Sequence, residues 1–129
     1  MEYIEPEEFL KQTKKVQESL RNWWKPEMRD LFFRSFGDSP NSFLNEIYIG
    51  CIQDNETKNN AIAYKDFLPV LTEGQLRKYI EDKNGKIDCI GITGNDYGIS
   101  TFTKDYGIEH ATDLLDAYWQ VACRIAEEE

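Results

Sequence analysis

The chain predicts an antiparallel α+β fold, and three observations carry that expectation. Its last eighteen residues (TDLLDAYWQVACRIAEEE) read as one amphipathic helix. At 100° per residue, Ala111, Leu114, Leu115, Ala117, Tyr118, Trp119, Val121, Ala122, Ile125 and Ala126 share a broad apolar face, opposite Asp113, Asp116, Gln120, Cys123, Arg124, Glu127 and Glu128. A second stretch places IDCIGIT and ISTFT on either side of a GNDYG turn, the pattern of a hairpin. Third, apolar alternating runs and helical runs succeed one another as hairpin units, without the crossovers that a parallel sheet needs. With 129 residues the chain is long enough for one core and short for two.

From the N-terminus, a helix is expected over about residues 6–24. Pro6 suits a first helical turn and Glu5, Glu7 and Glu8 complement the positive end of the helix dipole. Phe9, Thr13, Val16, Leu20, Trp23 and Trp24 fall on one face, and Pro26, lacking an N–H, stops or kinks the chain. Residues 28–36 fit either a helix or a strand. Gly37-Asp38-Ser39-Pro40-Asn41 is a turn cluster and the best candidate for a mobile loop. EIYIGCI at 46–52 alternates like a strand, with Ile47, Ile49 and Cys51 on one side. QDNETKNN then reads as a polar loop, with AIAYK at 61–65 returning as a hairpin partner.

Residues 67–71 are apolar and extended around Pro69. Thr72 and Gln75 form a T-x-x-Q capping box with Leu71 and Leu76 as its hydrophobic staple, so a helix is expected over 73–83 and ends at Asn84-Gly85. Leu76, Tyr79 and Ile80 point inward. After the hairpin at 87–103, residues 104–110 form a connector and Thr112 caps the final helix.

Composition narrows the function. Hydrophobic residues at 40% and charged ones at 30% suit a folded protein. A net charge of −9 argues against non-specific binding to nucleic acid, which Lys and Arg must supply. Lys11, Lys14, Lys15, Arg21 and Lys25 nevertheless crowd the first helix; the plain reading is a solvated face with Glu7–Lys11 and Lys14–Glu18 pairs. An acidic surface could instead dock on a basic partner. Cys51, Cys89 and Cys123 are odd in number and lack CxxC spacing, which points to reduced structural thiols in a cytosolic setting, Cys123 being the most accessible. The acidic start MEYIEPEE carries no signal-peptide pattern, and no apolar run approaches the ~20 residues of a membrane span.

Candidate chemistry is sparse, and no catalytic residue, metal site or cofactor is assigned. His110 is the only histidine; it could meet Glu109, Asp105 or Asp113, yet a lone His before a helix more often helps cap it. Gly91, Gly94 and Gly98 resemble a phosphate loop superficially but lead into a β-like run rather than a helix. The loop carboxylates lack calcium-loop spacing. Trp23-Trp24 is either a core anchor or, at Trp24, an exposed indole for a partner.

Three collinear stretches, residues 3–26 (YIEPEEFLKQTKKVQESLRNWWKP), 68–85 (LPVLTEGQLRKYIEDKNG) and 111–129, together resemble a group of small accessory-region proteins encoded by phages and prophages of Gram-positive bacteria. The group resembled has a Gly-Asp pair after its WWKP motif, where this chain has Arg29-Asp30. The resemblance implies a phage origin and a host-cytosol setting and brings no catalytic residue with it.

The resulting expectation is a non-enzymatic acidic protein that occupies a host protein with a basic surface, without touching nucleic acid or membrane. Its contact residues are Asp38, Asp54, Glu56, Asp96, Asp105 and Trp24, with the Glu127–Glu129 tail. The alternatives are a small-ligand binder or enzyme, with a pocket lined by Tyr48, Tyr64, Tyr97 and His110, and a phage assembly accessory.

Overall fold

A computed structural model describes residues 2–35 and 47–129. The expected turn cluster at 37–41 and the start of the 46–52 strand lie outside the described residues. Among the described residues five helices and two three-stranded antiparallel sheets form, an α+β arrangement with helices at both ends.

The helix expected over 6–24 is two helices, α1 (Pro6–Leu10) and α2 (Lys14–Trp23). Thr13 makes the break. It is exposed and extended (φ −63°, ψ 159°), and its hydroxyl accepts from the Val16 N–H at 3.3 Å. A Thr side chain that can cap a helix competes with helix continuation through itself. The chain leaves α2 at Trp24 (ψ 125°), two residues before Pro26.

Residues 28–36 were open between helix and strand; the strand prevails, as β1 (Leu31–Arg34). It is the centre of a sheet ordered β2-β1-β3, where β2 is Gly50–Cys51 and β3 is Phe67–Pro69. The 46–52 strand is thus shorter than expected, and its apolar face is partly reversed: Cys51 is exposed while Ile52 is fully buried. Phe32 lies opposite both Gly50 and Pro69. Gly50 is needed there, since a Cβ would come within 2.6 Å of the Phe32 ring. Pro69 is tolerated because β3 is an edge strand.

The polar stretch after β2 is α3 (Asn55–Ala63), a helix rather than a loop and hairpin return. Asp54 caps it, accepting from the Thr57 N–H at 2.7 Å. Ala61 is the only residue of α3 that is buried, and Ile62 faces outward. A helix with so little apolar face carries no periodic signal in sequence. Its stability comes from its ends, and the distal end is held by Arg21, whose Nη2 donates to the carbonyls of Ala61 (2.5 Å) and Tyr64 (3.2 Å).

The second half follows its sequence signals closely. α4 (Glu73–Asn84) begins with both halves of the capping box: Thr72 Oγ1 accepts from the Gln75 N–H and Gln75 Oε1 accepts from the Thr72 N–H. Leu71 and Leu76 are buried around it, as are Tyr79 and Ile80. Gly85 ends the helix at φ +85°. β4 (Ile87–Thr93) and β5 (Asp96–Thr101) form the expected hairpin with a tighter turn at Gly94-Asn95. The expected connector contains a third strand, β6 (Asp105–Ile108), giving a meander ordered β4-β5-β6. α5 (Leu114–Glu128) is capped by Asp113, which accepts from the Asp116 N–H at 2.8 Å, and not by Thr112. Asp116 reaches back to the Thr112 N–H at 3.0 Å.

The main core joins both sheets to the terminal helices: Phe9, Val16, Leu20 and Phe33 meet Leu76, Tyr79, Ile99, Tyr118, Trp119 and Ile125. Phe9 packs edge-on against Phe33 (5.8 Å between centroids) and stacks on Trp119 (6.3 Å). Burying each such side chain contributes about 1.5–3 kcal/mol before entropy is subtracted. A smaller cluster of Trp24, Ile52, Ala61 and Phe67 seats α3 on the first sheet. No helix among the described residues is long and apolar enough to cross a membrane.

Candidate functional site

The six residues assigned to partner contact do not form one patch. Asp38 lies outside the described residues. Trp24 is 3% exposed, its indole N–H donating to Asp30 Oδ2 at 3.0 Å, so it is a core anchor and drops out of the contact set. Trp23 is half-buried against Tyr79 and donates to Asp82 Oδ2 at 2.9 Å. The adjacent indoles both find room because the chain turns off the helix between them, and each N–H finds a carboxylate.

Asp54 and Glu56 are exposed but belong to the first turn of α3, where they complement the helix N-terminus. The hydrogen bonds from Thr57 hold the Asp54 carboxyl below its usual range. The C-terminal acids are also occupied. Glu127 accepts from Thr13 Oγ1 at 2.9 Å, and its carbonyl accepts from Lys15 Nζ at 2.6 Å. Glu128 pairs with Lys104 at 2.8 Å. Glu129 pairs with Lys83 at 2.8 Å and accepts from Ser19 and Tyr79. Burial alone would raise the Glu129 pKa, yet these donors outweigh it and hold the carboxyl low. The tail is therefore an internal clasp between α5, α2 and α4 rather than a free acidic arm.

Asp96 and Asp105 are the two that share one face. Pairing across the meander sets out three rows on its outer side. The middle row is glycine throughout, Gly91 opposite Gly98 opposite Gly107, and a Cβ on any of them would meet nothing within 4 Å. Thr93 and Asp96 make the row on one side; Cys89, Ser100 and Asp105 make the row on the other. Asp96 and Asp105, four residues apart in register, stand roughly 13 Å apart across a glycine floor. Both are exposed, as are Asp88 and Glu109 nearby in the chain. No Lys or Arg lies on the outward positions of these strands. Of the cations flanking these strands, Lys104 is engaged with Glu128 and Arg124 with the Gly107 carbonyl at 2.9 Å, while Lys86 is exposed just before β4. Ile92 (61% exposed) and Phe102 (85% exposed) add apolar surface at the borders of the sheet.

His110 is exposed and sits at φ +60°, a left-handed conformation that His adopts more readily than most residues; its N–H donates to Asp96 Oδ1 at 3.3 Å. It serves the turn into α5 by its backbone. Among the described residues the tyrosine pocket is not assembled: Tyr48 and Tyr64 are exposed, Tyr97 packs on the core, and none of the four lines the grooves beside α2, Trp24, Tyr106 or Pro26. Among the thiols the expected order is reversed. Cys51 and Cys89 are exposed, whereas Cys123 is half-buried and its thiol is pushed up to about 12 by burial and then by Glu127 and Glu8. Among the described residues no cluster of His, Cys, Asp and Glu could hold a metal ion.

Arg21 was missed by sequence reasoning. Grouped with the solvated basic strip, it is in fact 6% exposed and stacked over Trp24, 5.4 Å from the ring centroid. The signal was its position, next to Leu20 and three residues before Trp24, on the flank of the apolar face. No protein-family model matches the chain, no curated protein matches it, and no solved structure matches its fold.

Proposed function

We propose that this is a non-enzymatic binding protein, of phage or prophage origin, that acts inside the host cell by occupying a host protein with a basic surface. The outer face of the meander carries this reading. Its exposed carboxylates Asp96 and Asp105 flank a floor of glycine backbone, and no cation faces them. Such a face accepts a flat cationic element closely, because no side chain rises from the floor, and carboxylates without a salt-bridge partner favour Lys and Arg on the partner. Phe102, 85% exposed in the turn after β5, adds apolar surface beside the sheet. The phage origin rests on the three stretches resembling prophage accessory proteins.

The reading is tested by retaining host proteins from a Gram-positive lysate on the wild-type chain and on the Asp96→Asn/Asp105→Asn double variant, followed by affinity measurement against salt. One dominant basic protein, bound by wild type, weakened about tenfold or more in the variant and with a flatter salt slope, supports it. Equal retention by both proteins sinks the role given to the meander face.

A further inference from the structure

We propose that the groove between α2 and the segment leading into β3 binds a phosphorylated small molecule, its phosphate held between Arg21 on one wall and Lys65 on the other, with Lys14 further along the Arg21 wall. The groove encloses about 460 Å³, within the size range of small-ligand sites. One wall is a single face of α2, carrying Lys14, Gln17, Glu18, Arg21 and Asn22. Ser35, Lys65, Asp66 and Leu68 make the other.

The argument begins with the charge of Arg21. A buried cation is costly unless an anion or full hydrogen bonding compensates it. Arg21 has two backbone carbonyls on Nη2, the Trp24 ring, and no partner on Nε. Among the described residues no carboxylate comes within ion-pair distance of it. Asp66 is the one acid whose charge reaches it, and both Asp66 contacts to Arg34, at 3.0 Å from Nε and 2.6 Å from Nη2, fall on Oδ2. Burial accordingly pushes the Arg21 pKa down, with Asp66 only partly offsetting it. Partial charges on carbonyl oxygens do not replace a counter-anion.

An anion in the groove supplies a counter-charge for Arg21, though not a bond to Nε, which is sealed from solvent. Lys65 adds a second cation from the opposite wall, its Nζ oriented by Asn22 Oδ1 at 3.1 Å. The charges on the walls are Lys14, Arg21 and Lys65 against Glu18 and Asp66. Glu18 and Lys14 are both exposed, where water and salt screen them, and Lys14 has a partner already; Asp66 is neutralised by Arg34, so Arg21 and Lys65 carry the site. A phosphate dianion matches several converging cations and amide donors better than a single carboxylate does. A second concavity of about 420 Å³ shares Arg21, Asn22 and Lys65 and runs on to Lys25, Pro26 and Ile62, giving room for the organic part of the ligand. This local basic groove stands on a chain of net charge −9, on elements separate from the meander, so its fate is independent of the partner-binding face.

The test is a ¹H–¹⁵N NMR titration of the full chain with sodium pyrophosphate and with adenosine monophosphate at constant ionic strength, using succinate as the carboxylate control. Saturable shifts confined to residues 14–22, Ser35 and 64–66, weakened about tenfold in Lys65→Gln and further in Lys14→Gln/Lys65→Gln, are the expected result. Both lysines are exposed, so these variants keep the fold; Arg21 is left intact because it also holds α3. Linear, unsaturated shifts spread over all basic surfaces overturn the proposal, as does an affinity unchanged in the double variant. An equal response to succinate overturns the phosphate assignment.

Discussion

The two sheets of this protein are each three antiparallel strands, yet they are specified in opposite ways. The meander β4-β5-β6 is continuous in sequence: one tight turn at Gly94-Asn95 and one at 102–104 set its register, and one face stays open to water. The sheet β2-β1-β3 gathers short strands from residues 31 to 69, with a helix between the last two in sequence. Its register depends on an aromatic seam, Phe32 over Gly50 and 5.1 Å from Phe67, and on Arg21 reaching into the end of α3. The first kind of sheet tolerates change on its open face, while the second loses its definition when one buried partner is removed.

The largest expected effect is at the centre of that second kind. Phe33→Ala, at a residue 1% exposed and packed on Phe9, should cost about 3–5 kcal/mol in urea unfolding. By contrast Ile92→Ala on the meander rim should stay within about 0.5 kcal/mol. If the two costs were equal, the contrast between the sheets would fail.

Glycine provides a sharper comparison. Gly50→Ala forces a Cβ against the Phe32 ring and should destabilise by about 1–3 kcal/mol. Gly98→Ala, where a Cβ meets nothing, should be neutral or stabilising by up to about 1 kcal/mol. The same Gly98→Ala raises a methyl from the floor between Asp96 and Asp105, so it should weaken the partner binding proposed for that face without loss of melting temperature.

The smallest effect is alkaline. Burial, the largest cause for both groups, pushes Cys123 from 9.0 and Tyr79 from 10.0 up to about 12. Both raised values favour the neutral form in the folded state. Their contribution is complete below about pH 9 and is lost as the pH rises toward 12. Urea midpoints should therefore decline above pH 9. Thiol labelling at pH 8 should modify Cys51 and Cys89 well before Cys123.

These contrasts explain which parts were legible. The capping box at Thr72–Gln75, the inward Leu76, Tyr79 and Ile80, and the face of α5 from Ala117 to Ala126 are local patterns, and each appears in the structure as the residues imply. Asp96 and Asp105 were named as isolated loop acids; that they share a face across glycine required the pairing of β6, which its short DYGI run did not announce. α3 was illegible because its only buried residue is Ala61. Arg21 was misread because a charged residue on a helix flank is solvated by default, and only the carbonyls of Ala61 and Tyr64, forty and more residues later, draw it inside.

By itself, then, the sequence determined the α+β class, the capped helix α4, the β4–β5 hairpin and the terminal helix, because caps, turns and periodic apolar faces act between near neighbours. Only the tertiary structure decided that Thr13 splits the first helix, that a polar stretch becomes α3, that Trp24 and Arg21 are buried, and that the C-terminal acids clasp Lys15, Lys83 and Lys104. Each of these depends on a partner distant in the chain, or on a balance between capping and continuation that local propensity does not resolve.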